Sequence, residues 1–159
     1  MKAIIVSDTH GHNANYGKIL KMHNPDLVIH CGDIEGSENV FTQVTSCPIY
    51  MVKGNNDYFS DLPREVDVSF GGNKIWVTHG HNFYVSVGTE IIKEEARSRG
   101  AKIVCFGHTH RPIVEYGADV IAVNPGSLSY PRQEGRLPSY AIMEIDRFGE
   151  LHVNIAYIK

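Results

Sequence analysis

The sequence predicts an α/β fold, and three observations carry that expectation. Short β-branched apolar runs alternate with helix-periodic segments over residues 2–53, the pattern of parallel βαβ units. The later part of the chain adds a hairpin signal, one two-faced helix and several more short strands. Clusters rich in His and Asp follow the strands, at the end where an α/β sheet gathers its loops and its sites.

The elements follow in order. Residues 2–7 (KAIIVS) read as a buried strand, and Asp8-Thr9-His10-Gly11-His12-Asn13 as a polar loop. Tyr16, Ile19, Leu20 and His23 lie at helical spacing over 14–23, and Asn24-Pro25 stops the helix. A second strand runs from Asp26 to His30 and ends at Cys31-Gly32-Asp33. Ser37 is a suitable N-cap for a short helix to about Val44. Pro48 to Lys53 reads as a third strand, followed by Gly54-Asn55-Asn56-Asp57. Val66–Phe70 and Lys74–His79 flank a Gly71-Gly72-Asn73 turn and read as a hairpin. Ile91, Ile92, Glu95, Ala96 and Arg99 give a helix from Thr89 to Arg99 two faces, and Gly100 ends it. Ala101–Phe106 is another buried strand, and shorter ones are expected near 113–116, 119–123, 139–146 and 150–158. Residues 124–138, with Pro125, Pro131 and Pro138, form the one long irregular stretch. Nothing reads as a linker or a repeat, so residues 1–159 are expected to form one domain.

Composition excludes several classes. Hydrophobic residues at 42% and charged residues at 21% are ordinary for a globular chain and rule out disorder, collagen and coiled coil. No apolar run approaches the length of a membrane span or a signal peptide, so a cytoplasmic protein is expected, without a membrane partner. With a net charge of -3 and no Lys/Arg block, nucleic acid is not the expected partner. Cys31, Cys47 and Cys105 form no CxxC pair, which argues against a disulfide framework or a thiolate zinc site. The nine histidines are the compositional oddity, because six of them fall in His-x-His pairs: His10/His12, His79/His81 and His108/His110.

Those pairs carry the chemistry. Asp8-x-His10, Gly32-Asp33, Gly54-Asn55-Asn56-Asp57, His79-Gly80-His81 and Gly107-His108-Thr109-His110 each follow a strand. Together they would bring hard oxygen ligands and imidazoles to one rim, a donor set suited to Mn, Fe, Zn or Ni. Glycines beside the candidate ligands would let the chain turn sharply at the strand ends. His30, inside its strand, is expected to be a packed, hydrogen-bonded histidine, and His23 and His152 surface or packing residues.

This ordered series resembles the calcineurin-like metallophosphoesterases, in particular their small single-domain bacterial and archaeal phosphodiesterase branch. Asn124-Pro125-Gly126-Ser127 is similar to a segment that recurs there. The resemblance implies a four-layer α/β/β/α sandwich of two mixed sheets. It implies two divalent ions, Mn first, with Fe, Ni, Zn or Mg as alternatives. Asp8, His10 and His110 would hold the first, Asn55, His79 and His108 the second, and Asp33 would bridge. The activity implied is hydrolysis of small phosphodiesters by a bridging hydroxide. A metal-binding scaffold acting through protein partners, a phosphomonoesterase and a nuclease are the alternatives, and homo-oligomerisation stays open. The family loop usually reads Gly-Asn-His-Asp/Glu, or Gly-Asn-Cys-Asp in the small branch, whereas this chain has Asn56 at the third position. Asn56 can donate a hydrogen bond but has no proton to give as a general acid. Asn56, at the leaving-group side, and His81 are therefore the two candidate catalytic residues, and His12 and His81 are cleft-lining candidates. Tyr58, Phe59, Phe83 and Tyr84 could wall an organic leaving group, and Arg111, Arg132 and Arg136 could meet a second phosphate.

Overall fold

The computed structural model describes residues 1–159. Ten strands and three helices form in the order β1 (Lys2–Val6), α1 (Ala14–His23), β2 (Leu27–His30), α2 (Glu38–Val44), β3 (Ile49–Met51), β4 (Glu65–Phe70), β5 (Asn73–Thr78), α3 (Glu90–Ser98), β6 (Ile103–Cys105), β7 (Pro112–Tyr116), β8 (Ile121–Pro125), β9 (Ser139–Ile145) and β10 (Leu151–Tyr157). They build two five-stranded sheets, ordered β10-β9-β1-β2-β3 and β4-β5-β6-β8-β7. Both sheets are mixed. In the first, β1, β2 and β3 run parallel, with β9 antiparallel to β1 and β10 to β9. In the second, β5, β6 and β8 run parallel between antiparallel β4 and β7.

Side-chain alternation explains the four layers. Ala3 and Ile5 of β1 and Leu27 and Ile29 of β2 face the second sheet, where they meet Val68, Phe70, Ile75, Val77, Ile103, Cys105 and Val123 in one cluster. Ile4, Val6 and Val28 face the other way and meet Tyr16 and Ile19 of α1 and Phe41 of α2. Trp76, Val104 and Ala122 turn outward from the second sheet onto Ile92 and Ala96 of α3. Strands buried on both faces must be apolar without interruption, which is why β1 and β6 read as continuous runs. The α/β/β/α arrangement is thus the one the sequence led us to expect. No helix is long and apolar enough to cross a membrane.

Differences are confined to element ends. β3 and β6 are shorter than their apolar runs, because the ladder lasts only as long as the neighbouring strands stay in register. Ser37 occupies the N-cap position of α2, but its side chain makes no cap hydrogen bond. The hairpin turn is Gly71-Gly72 alone, and Asn73 already pairs with Phe70.

Candidate metal centre

The five predicted loops converge at one end of the two sheets. Asp8 and His10 follow β1, Asp33 follows β2 and Asn55 follows β3; His79 follows β5, and His108 and His110 follow β6. The hydrogen bond from Asp8 N to Gly32 O (3.0 Å) joins the first two loops, and that from Gly107 N to His79 O (3.0 Å) joins two of the second sheet. The sheets meet where His108 N donates to Asp8 Oδ2 at 3.1 Å.

The candidate ligand atoms lie close together. Asp8 Oδ1 is 3.2 Å from His110 Nε2 and 3.9 Å from both His10 Nε2 and His79 Nε2. Asp33 Oδ2 is 3.4 Å from His79 Nε2 and 3.9 Å from His10 Nε2. Asn55 Oδ1 sits 3.0 Å from both His79 Nε2 and His108 Nδ1. Two compact sets emerge at the centre, Asp8/His10/His110 and Asp8/Asp33/His79, with Asp8 common to both. The structure thus brings together all seven residues that sequence reasoning named as ligands.

This arrangement fits cations better than it fits the bare side chains. His10 Nδ1 donates to Glu35 Oε1 (2.7 Å), His110 Nδ1 to the Tyr130 carbonyl (2.7 Å) and His79 Nδ1 to the Cys31 carbonyl (2.7 Å). A neutral imidazole with its proton on Nδ1 presents a bare lone pair at Nε2. His10 Nε2 and His110 Nε2 nevertheless face each other at 3.2 Å. Asp8 Oδ1, fully buried, has no hydrogen-bond donor at all. Two imidazole lone pairs facing each other beside a buried carboxylate oxygen that has no partner are the donor set of a metal site.

Electrostatics agree. Burial alone would raise the Asp8 carboxyl, but His110 beside it and the charge of His79 hold it below the ordinary range. Asp33 is likewise opposed by burial and pulled down, first by His79 and then by the N–H groups of Asn56. His79 is raised against its burial by Asp33 and Asp8. Both carboxylates are therefore ionised at neutral pH and ready to hold a cation.

The backbone shows how the ligands are aimed. Asp8, His10, Asp33, His108 and His110 all have positive φ, between 45° and 72°. Non-glycine residues seldom adopt that region, and such strain gathers at functional sites. The sequence placed this burden on the neighbouring glycines, and two of them do not carry it. Gly54 is needed because a Cβ there would stand 2.1 Å from Asp33 Oδ1, and Gly107 because one would stand 2.0 Å from Ser7 Oγ.

The two candidate catalytic residues stand beside the ligands. Asn56 N donates to Asp33 Oδ1 (2.9 Å) and Asn56 Nδ2 to Asp33 Oδ2 (2.8 Å). Sequence reasoning set Asn56 toward the leaving group, whereas its amide is engaged in orienting Asp33. The His81 ring lies 5.4 Å from that of His79 and 6.1 Å from that of His108, and its Nδ1 is buried without a partner. Burial, then the nearby His79 and His108, lowers the His81 pKa and keeps its ring neutral. His12 points elsewhere, to the Tyr130 hydroxyl at 2.7 Å. His30 is the packed residue expected, bonded to Thr9 Oγ1 (3.0 Å) and Gly32 N (3.1 Å). Phe83 packs edge-on against Trp76, while Tyr58, Phe59 and Tyr84 are exposed.

Three residues support the centre in roles that the sequence reading did not assign. Glu35 orients His10. Asp57 is buried, and its carboxylate accepts from the N–H groups of Ile34, Glu35 and Gly54, which locks the β2 and β3 loops together. Ser127 donates to the Asp8 carbonyl at 2.7 Å. Asp57 and Ser127 stand in motifs the sequence displayed, whereas the signal for Glu35 was only an acid close behind Gly32-Asp33, which does not say which histidine it would meet.

Paired carboxylates and imidazoles on strand-end loops of a two-sheet sandwich define a metallohydrolase class of site. The chain belongs to the calcineurin-like phosphoesterase superfamily, whose domain matches residues 1–147. It is 36% identical to the probable metallophosphoesterase YsnB of Bacillus subtilis, over 92% of this chain and 85% of that protein. It is 30% identical to the phosphodiesterase MJ0936 of Methanocaldococcus jannaschii, over 79% of this chain and 83% of the relative. A predicted phosphoesterase of Streptococcus pneumoniae has a crystal structure that superposes with a TM-score of 0.84 at 29% identity, covering 98% of this chain and 88% of that one. The chain is thus a metal-dependent phosphoesterase of this superfamily.

Proposed function

We propose that the chain is a phosphodiesterase that works with two divalent ions, Mn first and Fe, Ni, Zn or Mg as alternatives. Asp8, His10 and His110 would hold one ion, Asn55, His79 and His108 the other, with Asp33 shared. The observation that carries this reading is the buried Asp8 Oδ1, without a hydrogen-bond partner, beside the Nε2 of His110, whose ring gives its Nδ1 proton to the Tyr130 carbonyl. The relative MJ0936, called a phosphodiesterase, supports the choice of diester.

When bound, such ions lower the pKa of coordinated water and draw the oxygens of a phosphoryl group into place. The chain's own residues do the rest. Asp8 and Asp33 fix two negative charges at the centre, and Glu35 and the Tyr130 and Cys31 carbonyls hold three imidazoles in the ligating tautomer. Asn56 orients Asp33 through two hydrogen bonds. His81, with a neutral ring beside those of His79 and His108, would donate a ring N–H to a phosphoryl or leaving-group oxygen.

Metal analysis alongside assays on bis(p-nitrophenyl) phosphate and p-nitrophenyl phosphate tests this. Two ions per chain, faster diester turnover and its abolition in Asp33→Asn are expected. A single ion, or near-normal activity in Asp33→Asn, overturns the two-metal assignment. Tight metal binding with no turnover would instead favour a scaffold.

A further inference from the structure

A cavity opens beside the Asn55 side of the centre. It has a volume of about 280 Å³, and Lys53, Asn55, Arg64, His81 and Asn82 are in its wall. That is just below the usual size range of ligand pockets, enough for one small polar group. The lysines and arginines that form ion pairs are Lys2, Lys74, Lys93, Arg97 and Arg99, so Lys53 and Arg64 are both without a carboxylate partner. The one acid in the wall, Asp57, is buried and spends its carboxylate on three backbone N–H groups. The buried Nδ1 of His81 has no partner either. Lys53 is anchored beside Arg64 by its N–H bond to the Pro63 carbonyl at 2.9 Å. Two unpaired cations and the His81 ring thus line a space that adjoins a candidate metal ligand. The other cation-lined cavity at the centre holds Arg132 and Arg136 but also the half-exposed carboxylate of Glu35, which would repel an anion.

We propose that the Lys53/Arg64/His81 cavity is an anion subsite that receives a second phosphoryl group of the substrate. The substrate class is then diesters whose reacting phosphorus belongs to a pyrophosphate linkage. This rests on the phosphoesterase reading for the identity of the reacting group. Arg64 can meet a phosphoryl oxygen pair with two parallel N–H bonds, and Lys53 adds a point charge.

Calorimetric titration of the manganese-loaded protein with AMP and with ADP tests the subsite, because the two probes differ by one phosphoryl group. ADP should bind about tenfold tighter or better. Arg64→Ala should bring the ADP/AMP ratio to within about twofold of unity, Lys53→Ala should lower it less, and Arg64→Lys should recover part of it. Arg132→Ala should leave the ratio standing. A wild-type ratio near unity overturns the proposal. So does an equal loss of both probes in Arg64→Ala, or a collapse caused by Arg132→Ala. Hydrolysis of bis(p-nitrophenyl) phosphate, which carries no second phosphoryl group, is read separately. Failure there with an intact ADP/AMP ratio counts against the phosphoesterase reading and supports the subsite.

Discussion

Asn56 shows how one residue changes meaning once its neighbours are known. From sequence it is a missing general acid; in the structure it is a clamp on Asp33, through backbone and side chain together. A hydrogen bond to a charged acceptor is worth roughly 1.5–3 kcal/mol. Asn56→Ala should therefore weaken metal binding by about tenfold or more, with little change in how rate depends on leaving-group pKa. Metal titration and a series of aryl diesters measure both. Unchanged metal affinity with a steeper leaving-group dependence would return Asn56 to the leaving-group side. His30 makes a separate prediction about pH. Burial lowers its pKa from 6.5 to about 4. The unfolded chain takes up that proton first as pH falls, so stability rises with pH across this window and is lost as pH drops from 6.5 toward 4. The difference amounts to roughly 3 kcal/mol. Denaturant titrations of metal-free protein at pH 7 and 4.5 should show a shallower loss in His30→Gln than in the parent. Parallel losses would mean that other groups dominate.

At the scale of elements, most of the fold was legible because β1, β2, β6 and β8 are buried on both faces and carry the β-branched runs that such strands require. Helix α3 was legible from the two faces that Ile92 and Ala96 create. Strand ends were not, since hydrogen-bond register belongs to the neighbour rather than to the run itself. The seven candidate ligands were legible as residue types at strand ends. The roles of Glu35, Asp57 and Ser127 were not, because they depend on contacts between loops far apart in sequence. The β4–β5 hairpin offers a test at this scale. Gly71 and Gly72 both have positive φ, at 55° and 78°, as a two-residue type I′ turn demands. A Cβ on Gly71 would stand 2.5 Å from Ile145 Cγ1, whereas one on Gly72 would enter open space. Gly71→Ala should cost about 1–3 kcal/mol from left-handed strain and overlap. Gly72→Asn should stay within about 0.5 kcal/mol, because Asn tolerates that region. Urea denaturation separates them, and equal costs would show that Ile145 yields without penalty.

At the scale of the whole molecule, the centre is a junction between two sheets. Asp8, His10, Asp33 and Asn55 come from the first sheet, and His79, His108 and His110 from the second. Ser127, in the segment after β8, reaches across to the Asp8 carbonyl and also accepts from Tyr130 N at 2.8 Å. Ions bound there would tie the sheets together in the folded state and do nothing comparable for the unfolded chain. Each site at a free ion concentration 100 times its Kd then adds about 2.7 kcal/mol of stability. For a chain of this size that corresponds to a Tm rise of roughly 5–10 °C per site. Manganese should produce this rise and a chelator should reverse it. Ser127→Ala removes the grip on the Asp8 loop without touching a candidate ligand atom. It should lower the Tm of the metal-free protein and also shrink the rise on adding manganese, because the loop must first be ordered at the expense of binding energy. Calorimetric scans with and without metal read both quantities. A lower starting Tm with the full manganese rise intact would show that Ser127 supports the fold but does not couple the two halves of the site.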